Sequence, residues 1–394
     1  MKIFWLTSEM PCPPNTGGRI VMYKRIEYFS RQNDIFLFSI IDSEEERNYQ
    51  CDMDKYCKEV HLYNRKEQKC NNLLKLFKGP YVCTSRWQKS MKDDIEKMFD
   101  KIEPDYILVD FPQMLGNISN KIFKSGNVVL NQHNTEYQTL RNLSGLYSSW
   151  LMRIAGKVES YRLQLLEKEY YSMNLIKLYT FLSIEDKSFF EKKYGLNNTY
   201  LVPVGTETIK LPEPPKKDFI ISYIGKMEYP ANAEASVWFA NNVYSKLKSH
   251  IPNLKFFIVG KNPLESVISL GKNDENIVVT GTVSDIKAYF EQSDIIVIPL
   301  FHGGGVKVKL LEALGYGKLV ITTPKGIEGT VFTDKKELLV ANTSKEFVEL
   351  CIDVYKSPEK YKSIKECGFK RIQDEFTWAS IINNFEEKLK SMTS

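Results

Sequence analysis

DIIVIPLFHGGGVKVKLLEAL, residues 294–314, is the stretch from which the fold can be read. An apolar, β-branched run at 295–298 stands between Asp294 and Pro299, the pattern of a short buried strand. Gly303, Gly304 and Gly305 follow. Without Cβ atoms they let backbone N–H groups approach a phosphate closely, and the helical pattern that opens at Lys307 adds unpaired donors and the positive end of a dipole. Lys309 and Glu312 are three apart on that helix and share one face, while Leu310, Leu311 and Leu314 form its buried side. A lysine near a helix start neutralises a diphosphate, and a glutamate one turn on accepts hydrogen bonds from two ribose hydroxyls. The bland alternative is a glycine turn before a helix with an ordinary surface Lys/Glu pair. The residues just beyond weigh against it: GKLVITTP (317–324) supplies another strand, and GIEG (326–329) a second glycine loop at its carboxyl end.

Outward from this segment, short apolar runs alternate with longer helical periodicities. Strands are expected at 3–6, 35–41, 106–109 and 128–131, then at 220–224, 255–259, 277–280, 295–299 and 319–322. Helices are expected near 20–31, 87–101, 153–172 and 184–194, then near 231–249, 283–293, 307–314 and 344–356, with a tail helix at 378–392. Such alternation belongs to α/β folds with parallel sheets covered on both faces. At 394 residues the chain exceeds one ordinary core. LPEPPKK (211–217) breaks the pattern with Pro212, Pro214 and Pro215, a stiff spacer. The expected organisation is a first domain over 1–209, a linker over 210–217 and a second domain over 218–376, with helix 377–394 crossing back to the first. Ligands of open α/β sheets sit at the carboxyl ends of strands, so a cleft between the domains is the expected site.

Composition narrows the partners. A net charge of +5 is too mild to indicate nucleic acid. The seven cysteines are odd in number and form no CxxC pair, which argues against a disulfide framework or a zinc site and for a reducing compartment. MKIFWL (1–6) is too short an apolar run for a secretory signal, and no stretch approaches the roughly 20 apolar residues of a membrane-spanning helix. A cytoplasmic protein is therefore expected. Between residues 60 and 92, eight Lys/Arg stand against the single acid Glu67, with Leu73, Leu74, Leu76, Phe77, Tyr81 and Trp87 interleaved. Two readings are equally open: a solvated face beside a core helix, or peripheral docking on the anionic inner face of a membrane. Asp52 and Asp54 have the Asp-x-Asp form of a metal site but follow no strand, and no metal or other cofactor is expected.

GGGVKVKLLEALGYGKLVITTPKGIEG (303–329) resembles the donor-binding signature of glycosyltransferase family 4. YIGKMEYPAN (223–232), followed by Trp238 and Phe239, resembles the first strand and helix of that family's C-terminal domain, and FIVG (257–260) its next strand. The resemblance spans nearly the whole chain and is strongest over 220–330. It implies the GT-B fold, two Rossmann-like domains with parallel sheets facing across a cleft, and a retaining, metal-independent transferase. It places Lys309 on the donor diphosphate, Glu312 on the ribose, and Lys226 as the basic residue after the first strand of the second domain. The family often has a glutamate on the transferred sugar where this chain has Gly304, and the departure leaves sugar recognition to backbone groups. PCPPNTGGR (11–19), with Gly17 and Gly18, resembles the family's N-terminal glycine loop, which closes on the donor phosphates. VVLNQHNTEY (128–137) resembles its His-Asn-x-Glu element. His133 is then expected beside the anomeric centre, bonding the transferred sugar, with Glu136 orienting the loop or pairing with Arg141. PVGTE (203–207) matches the interdomain turn loosely and is assigned no contact.

The resemblance implies transfer of a sugar from a nucleotide-diphosphate sugar to a hydroxyl of a glycan or lipid-linked acceptor, as in surface polysaccharide biosynthesis. Lys309 and the N–H groups of residues 303–305 would stabilise charge on the departing diphosphate, which would itself take the acceptor proton. Two alternatives stand beside it. A catalytically silent nucleotide-sugar-binding subunit is favoured by Gly304. A GT-B-like nucleotide-sugar epimerase would need acid/base carboxylates around the sugar.

Overall fold

Every residue of strand β1 (Lys2–Thr7) after Lys2 is buried, because a central parallel strand is covered on both faces and shows no alternation. The computed structural model describes residues 1–65, 79–125, 127–145, 149–212, 218–302 and 307–393. Chain contacts divide it into two compact units, Met1–Pro203 with Ile382–Ser394, and Val204–Ile381.

In the first unit the described strands continue with β2 (Asp34–Ile41), β3 (Glu59–Asn64), β4 (Tyr106–Asp110), β5 (Val128–Gln132), β6 (Leu178–Phe181) and β7 (Thr199–Leu201). They form a sheet of order β3-β2-β1-β4-β5-β6-β7, parallel throughout. Phe4, Leu6, Phe38, Ile107, Val109 and Leu130 build one core with Met91, Ile95, Tyr171 and Phe190 from the covering helices. The last helix, Trp378–Thr393, ends in this unit. Phe385 meets the Phe29 ring edge-on at 5.5 Å, Asn33 donates to Glu386 at 2.5 Å, and the Tyr106 hydroxyl donates to the Leu389 carbonyl at 2.7 Å.

In the second unit the strands are β8 (Phe219–Ile224), β9 (Leu254–Val259), β10 (Ile277–Gly281), β11 (Ile295–Ile298), β12 (Leu319–Thr322) and β13 (Leu339–Val340). Their order is β10-β9-β8-β11-β12-β13, again parallel. Residues 204–211 are bonded into this unit ahead of the proline run: Thr206 N–H donates to the Phe376 carbonyl at 2.9 Å and Ile209 N–H to Gly315 at 3.1 Å. Residues 213–217 of the expected linker lie outside the described ones.

Nine of the elements expected as strands are strands. Four of the described strands were unforeseen: β3 mixes polar and apolar side chains, half-buried, β6 is buried but four residues long, and β7 and β13 are three and two residues long, at or below the length at which periodicity speaks. The helix expected over 231–249 runs as Pro230–Phe239, opens into a π turn at Ala240–Tyr244, and closes as Ser245–Leu247. Each sheet has one place where neighbouring strands send their connections to opposite edges: between β1 and β4, and between β8 and β11. Such switch points leave a crevice at the carboxyl ends of the strands.

Candidate functional site

Lys309 lies at the switch point of the second unit. It is the second residue of helix Val308–Gly315, which follows β11. Its ammonium donates to the Tyr223 hydroxyl at 3.0 Å and to Asn232 Oδ1 at 2.7 Å, and stands 4.6 Å from the centre of the Tyr223 ring. The Tyr223 hydroxyl itself donates to Asn232 Oδ1 at 2.8 Å. Asn232 is held in turn, its Nδ2 donating to the Lys226 carbonyl at 2.8 Å. Tyr223 ends the apolar run of β8 and Asn232 lies in the first turn of helix Pro230–Phe239. Three elements therefore fix one ammonium.

Two glycines make this approach feasible. A Cβ on Gly225 would stand 2.8 Å from Lys309 Nζ, and one on Gly260, whose φ is +156°, would stand 1.7 Å from the Gly225 carbonyl oxygen. The residues that follow β8 and β9 thus pack backbone to backbone, as only glycine permits.

Burial pulls the Lys309 ammonium down to about 7; Lys307 adds to the fall and Glu312 opposes it. Burial also pushes the Glu312 carboxyl up to about 7, with Lys309 opposing. Both residues still keep part of their surface accessible. Lys307 is itself buried. Two lysines against one glutamate leave an excess of positive charge when all are ionised. Gly303, Gly304 and Gly305 lie outside the described residues. Lys226 joins the cluster through its carbonyl, and its side chain is half-buried.

The switch point of the first unit gathers a second group. His133, which follows β5, is 3% exposed. Its Nε2 lies 2.9 Å from Asp110 Oδ1 at the end of β4. The Trp5 indole N–H, from β1, donates to the other oxygen of Asp110. A carboxylate only accepts, so Nε2 carries the hydrogen, and in the neutral ring Nδ1 keeps a lone pair. That Nδ1 is buried and has no hydrogen-bond partner among the described residues. Phe111 stacks on the imidazole at 4.2 Å between ring centres. Its φ of +72° is unusual for a bulky residue and marks a strained backbone of the kind found at functional sites.

The glycine loop reaches this group through Phe111. A Cβ on Gly18 would lie 3.8 Å from the Phe111 ring and 3.6 Å from Glu9 Oε1, whereas one on Gly17 would meet nothing within 4 Å. Both glycines open helix Gly17–Phe29, capped by the Thr16 hydroxyl accepting from Arg19 N–H at 3.3 Å. Arg19 is spanned by two acids, Glu9 at 2.8 Å and Glu46 at 2.6 Å. Glu136 begins helix Glu136–Gly145. Burial pushes its carboxyl up to about 7, and the basic group that opposes this is Arg86 rather than Arg141.

Of the residues singled out from the sequence, Lys309 and Glu312 share the helix after β11 and His133 follows β5; Tyr223, Asn232 and Asp110, which bond to Lys309 and His133, were given no role. Asp110 was legible as the one charge closing the apolar run YILVD; Tyr223 and Asn232 lay in a quoted motif without a role. Of the basic stretch at 60–92, residues 66–78 lie outside the described ones. Arg86 and Trp87 turn inward, Arg86 donating to the Ser8 carbonyl at 3.1 Å and Trp87 to the Gln113 carbonyl at 3.0 Å.

Comparison with known proteins agrees with this layout. Residues 218–357 match the family model described as glycosyl transferases group 1. A Klebsiella pneumoniae protein, described as an uncharacterized 44.6 kDa protein in the cps region, is 24% identical over 387 residues, 95% of this chain and 96% of its own. Among solved structures, a glycosyltransferase of Rickettsia africae ESF-5 aligns with a TM-score of 0.68 and 14% identity over 100% of this chain and 98% of that one. HepE of Anabaena, in complex with UDP and glucose, aligns with a TM-score of 0.61 and 13% identity over 99% of this chain and 100% of that one. The architecture, two units with parallel sheets, is the GT-B fold.

Proposed function

We propose that this protein is a retaining glycosyltransferase of family 4 that moves a sugar from a nucleotide-diphosphate sugar to a hydroxyl acceptor in surface-polysaccharide synthesis, without a metal ion and on the cytoplasmic side of the membrane. The observation that carries the reading is the Lys309 ammonium, fixed by Tyr223 and Asn232 at the β8/β11 switch point, inside the segment that matches the group 1 model. The cps-region relative and the UDP-bound neighbour support the pathway and the donor class.

In this reading Lys309, with Lys307 beside it, takes the diphosphate and stabilises the charge that builds as the sugar–phosphate bond breaks. Preorganised donors of this kind are often the largest single contribution to catalysis. Glu312 accepts from the ribose hydroxyls, and Lys226 and the glycines at 303–305 contribute to the donor site. The glycine loop at Gly17 and Gly18 shapes the donor and acceptor surroundings of the first unit. His133 uses the free lone pair of Nδ1 to accept from a hydroxyl of the transferred sugar. The leaving phosphate takes the acceptor proton.

The test is calorimetry with UDP, GDP and ADP on the full chain. One nucleotide is expected to bind and to name the donor base; its sugars are then screened for transfer to acceptor. Binding by none of the three in the folded protein overturns the reading. Binding with neither transfer nor slow donor hydrolysis instead identifies a silent nucleotide-binding subunit.

Two further results are expected. Gly225→Ala puts a methyl where the ammonium lies, and the flexible lysine tip yields. The variant should stay folded and bind the nucleotide about tenfold more weakly, a difference of about 1.4 kcal/mol; unchanged affinity would detach Gly225 from the site. Binding should also take up protons. A bound diphosphate favours the charged form of Lys309, whose free value is about 7, so affinity falls as pH rises from about 6.5 to 8.5. Binding enthalpies measured in HEPES and in Tris at one pH count the protons, because their difference scales with the difference in buffer ionisation enthalpy; equal observed enthalpies in the two buffers would mean that Lys309 is already charged in the free protein.

A further inference from the structure

Helix Trp150–Ser172 packs one face into the first unit and leaves the other without a packing partner among the described residues. Its inner face runs through Gly156, Ser160, Leu163, Glu167 and Tyr171. A Cβ on Gly156 would stand 2.3 Å from that of Ser144, so the preceding helix approaches closely there. Turned the other way are Trp150, Leu151, Ile154, Val158, Tyr161 and Leu165, each between 49% and 67% exposed. At 100° per residue these six fall within an arc of about 100°, one continuous apolar stripe. Contiguous apolar surface on this scale marks an interaction site.

The charges beside the stripe select the occupant. Arg153 and Lys157, both exposed, border one side. Arg162 borders the other, held by Glu159 and by the Gly79 carbonyl at 2.7 Å. From 150 to 165 the stripe itself holds no acid. The spacing 151, 154, 158, 161, 165 would also suit a two-helix seam. In a parallel pair, however, Lys157 would face the second copy's Arg162, like against like. Anionic headgroups meet the same borders with opposite charge. Trp150 and Tyr161 add rings that favour the bilayer–water interface, and no helix among the described residues is long and apolar enough to cross a membrane.

We propose that this stripe is the docking surface for an anionic lipid bilayer, on which the helix lies in the interfacial plane with its six apolar side chains inserted and Arg153 and Lys157 against the headgroups. Docking here is independent of the donor site and rests on the helix alone. It extends the membrane reading, one of two drawn from the sequence at 60–92, to a segment expected from the sequence only as a helix over 153–172.

The experiment is co-sedimentation of the full chain with phosphatidylcholine vesicles, with and without phosphatidylglycerol. Wild type should partition onto the phosphatidylglycerol vesicles, less so at high salt. Ile154→Ser/Val158→Ser/Leu165→Ser should partition about tenfold or more weakly, with circular dichroism and nucleotide binding as for wild type. Lys157→Glu, at an exposed position, keeps the test decisive if the triple variant does not fold, and should lose the preference for phosphatidylglycerol. Failure of wild type to sediment with either vesicle overturns the proposal, as does wild-type partitioning by the folded triple variant or an unchanged preference in Lys157→Glu. A dimer in light scattering that the triple variant converts to monomer assigns the stripe to a second copy and also overturns it. Nucleotide binding in the same samples keeps this outcome separate from the donor reading.

Discussion

Lys309→Ala is expected to lower kcat/KM for sugar transfer by about 100- to 1,000-fold, the usual effect of deleting one preorganised donor to a developing negative charge. The variant should not be less stable. Burial holds the Lys309 ammonium at about 7 in the folded chain, against about 10.4 in an unfolded one. Between those values the unfolded chain binds the extra proton, so the lysine opposes folding and stability rises with pH across the window. Its removal also leaves Tyr223 and Asn232 bonded to each other at 2.8 Å. Steady-state kinetics beside a thermal melt checks both halves of the expectation. A melting temperature that drops along with activity would make Lys309 a structural residue. Full activity in Lys309→Ala would remove it from the chemistry.

Glu167→Gln is expected to stabilise the first unit at neutral and alkaline pH relative to wild type, by about 1.4 kcal/mol for each pH unit above about 4.5 until the folded-state value is reached. Glu167 is 1% exposed, and neither of its carboxylate oxygens has a hydrogen-bond partner among the described residues. Burial raises the carboxyl well above its ordinary value; Glu136 adds to this and Lys193 opposes it. A raised acid binds its proton in the folded chain and releases it on unfolding. Its contribution is therefore fully present below about 4.5 and is lost as pH rises toward the folded value. The glutamine variant carries no such loss, and glutamine matches glutamate in helix propensity. Urea midpoints of the two proteins should coincide near pH 4.5 and separate as pH increases. A variant less stable than wild type at pH 8 would show that the charged carboxylate and Lys193 form a pair worth more than its burial costs.

The parts of this molecule that the sequence made legible share one property: their signal is local. β1, β4 and β11 carry unbroken apolar runs at 3–6, 106–109 and 295–298, and the Lys309/Glu312 pair is a spacing on a single helix. What escaped was non-local or short. Tyr223 and Asn232 reach Lys309 from 86 and 77 residues away, and Trp5 and Asp110 meet across 105. No window of sequence contains those pairs. Strand β13, two residues long, exists only because β12 offers it a partner. The solvent-facing apolar stripe was hidden for another reason. Helix Trp150–Ser172 is apolar on both sides, and periodicity alone does not say which side turns inward.

The last helix has a bearing on how the chain is made. Phe385, Glu386 and Leu389 complete the packing around Phe29, Asn33 and Tyr106, yet a ribosome delivers them only after all of Val204–Ile381. At elongation rates of about 5–20 residues per second that interval is roughly 10 to 40 s. Throughout it, Phe29 and Tyr106 of the nascent first unit lack the partners that Phe385 and Leu389 later supply. The first unit to be synthesised is the last to be finished.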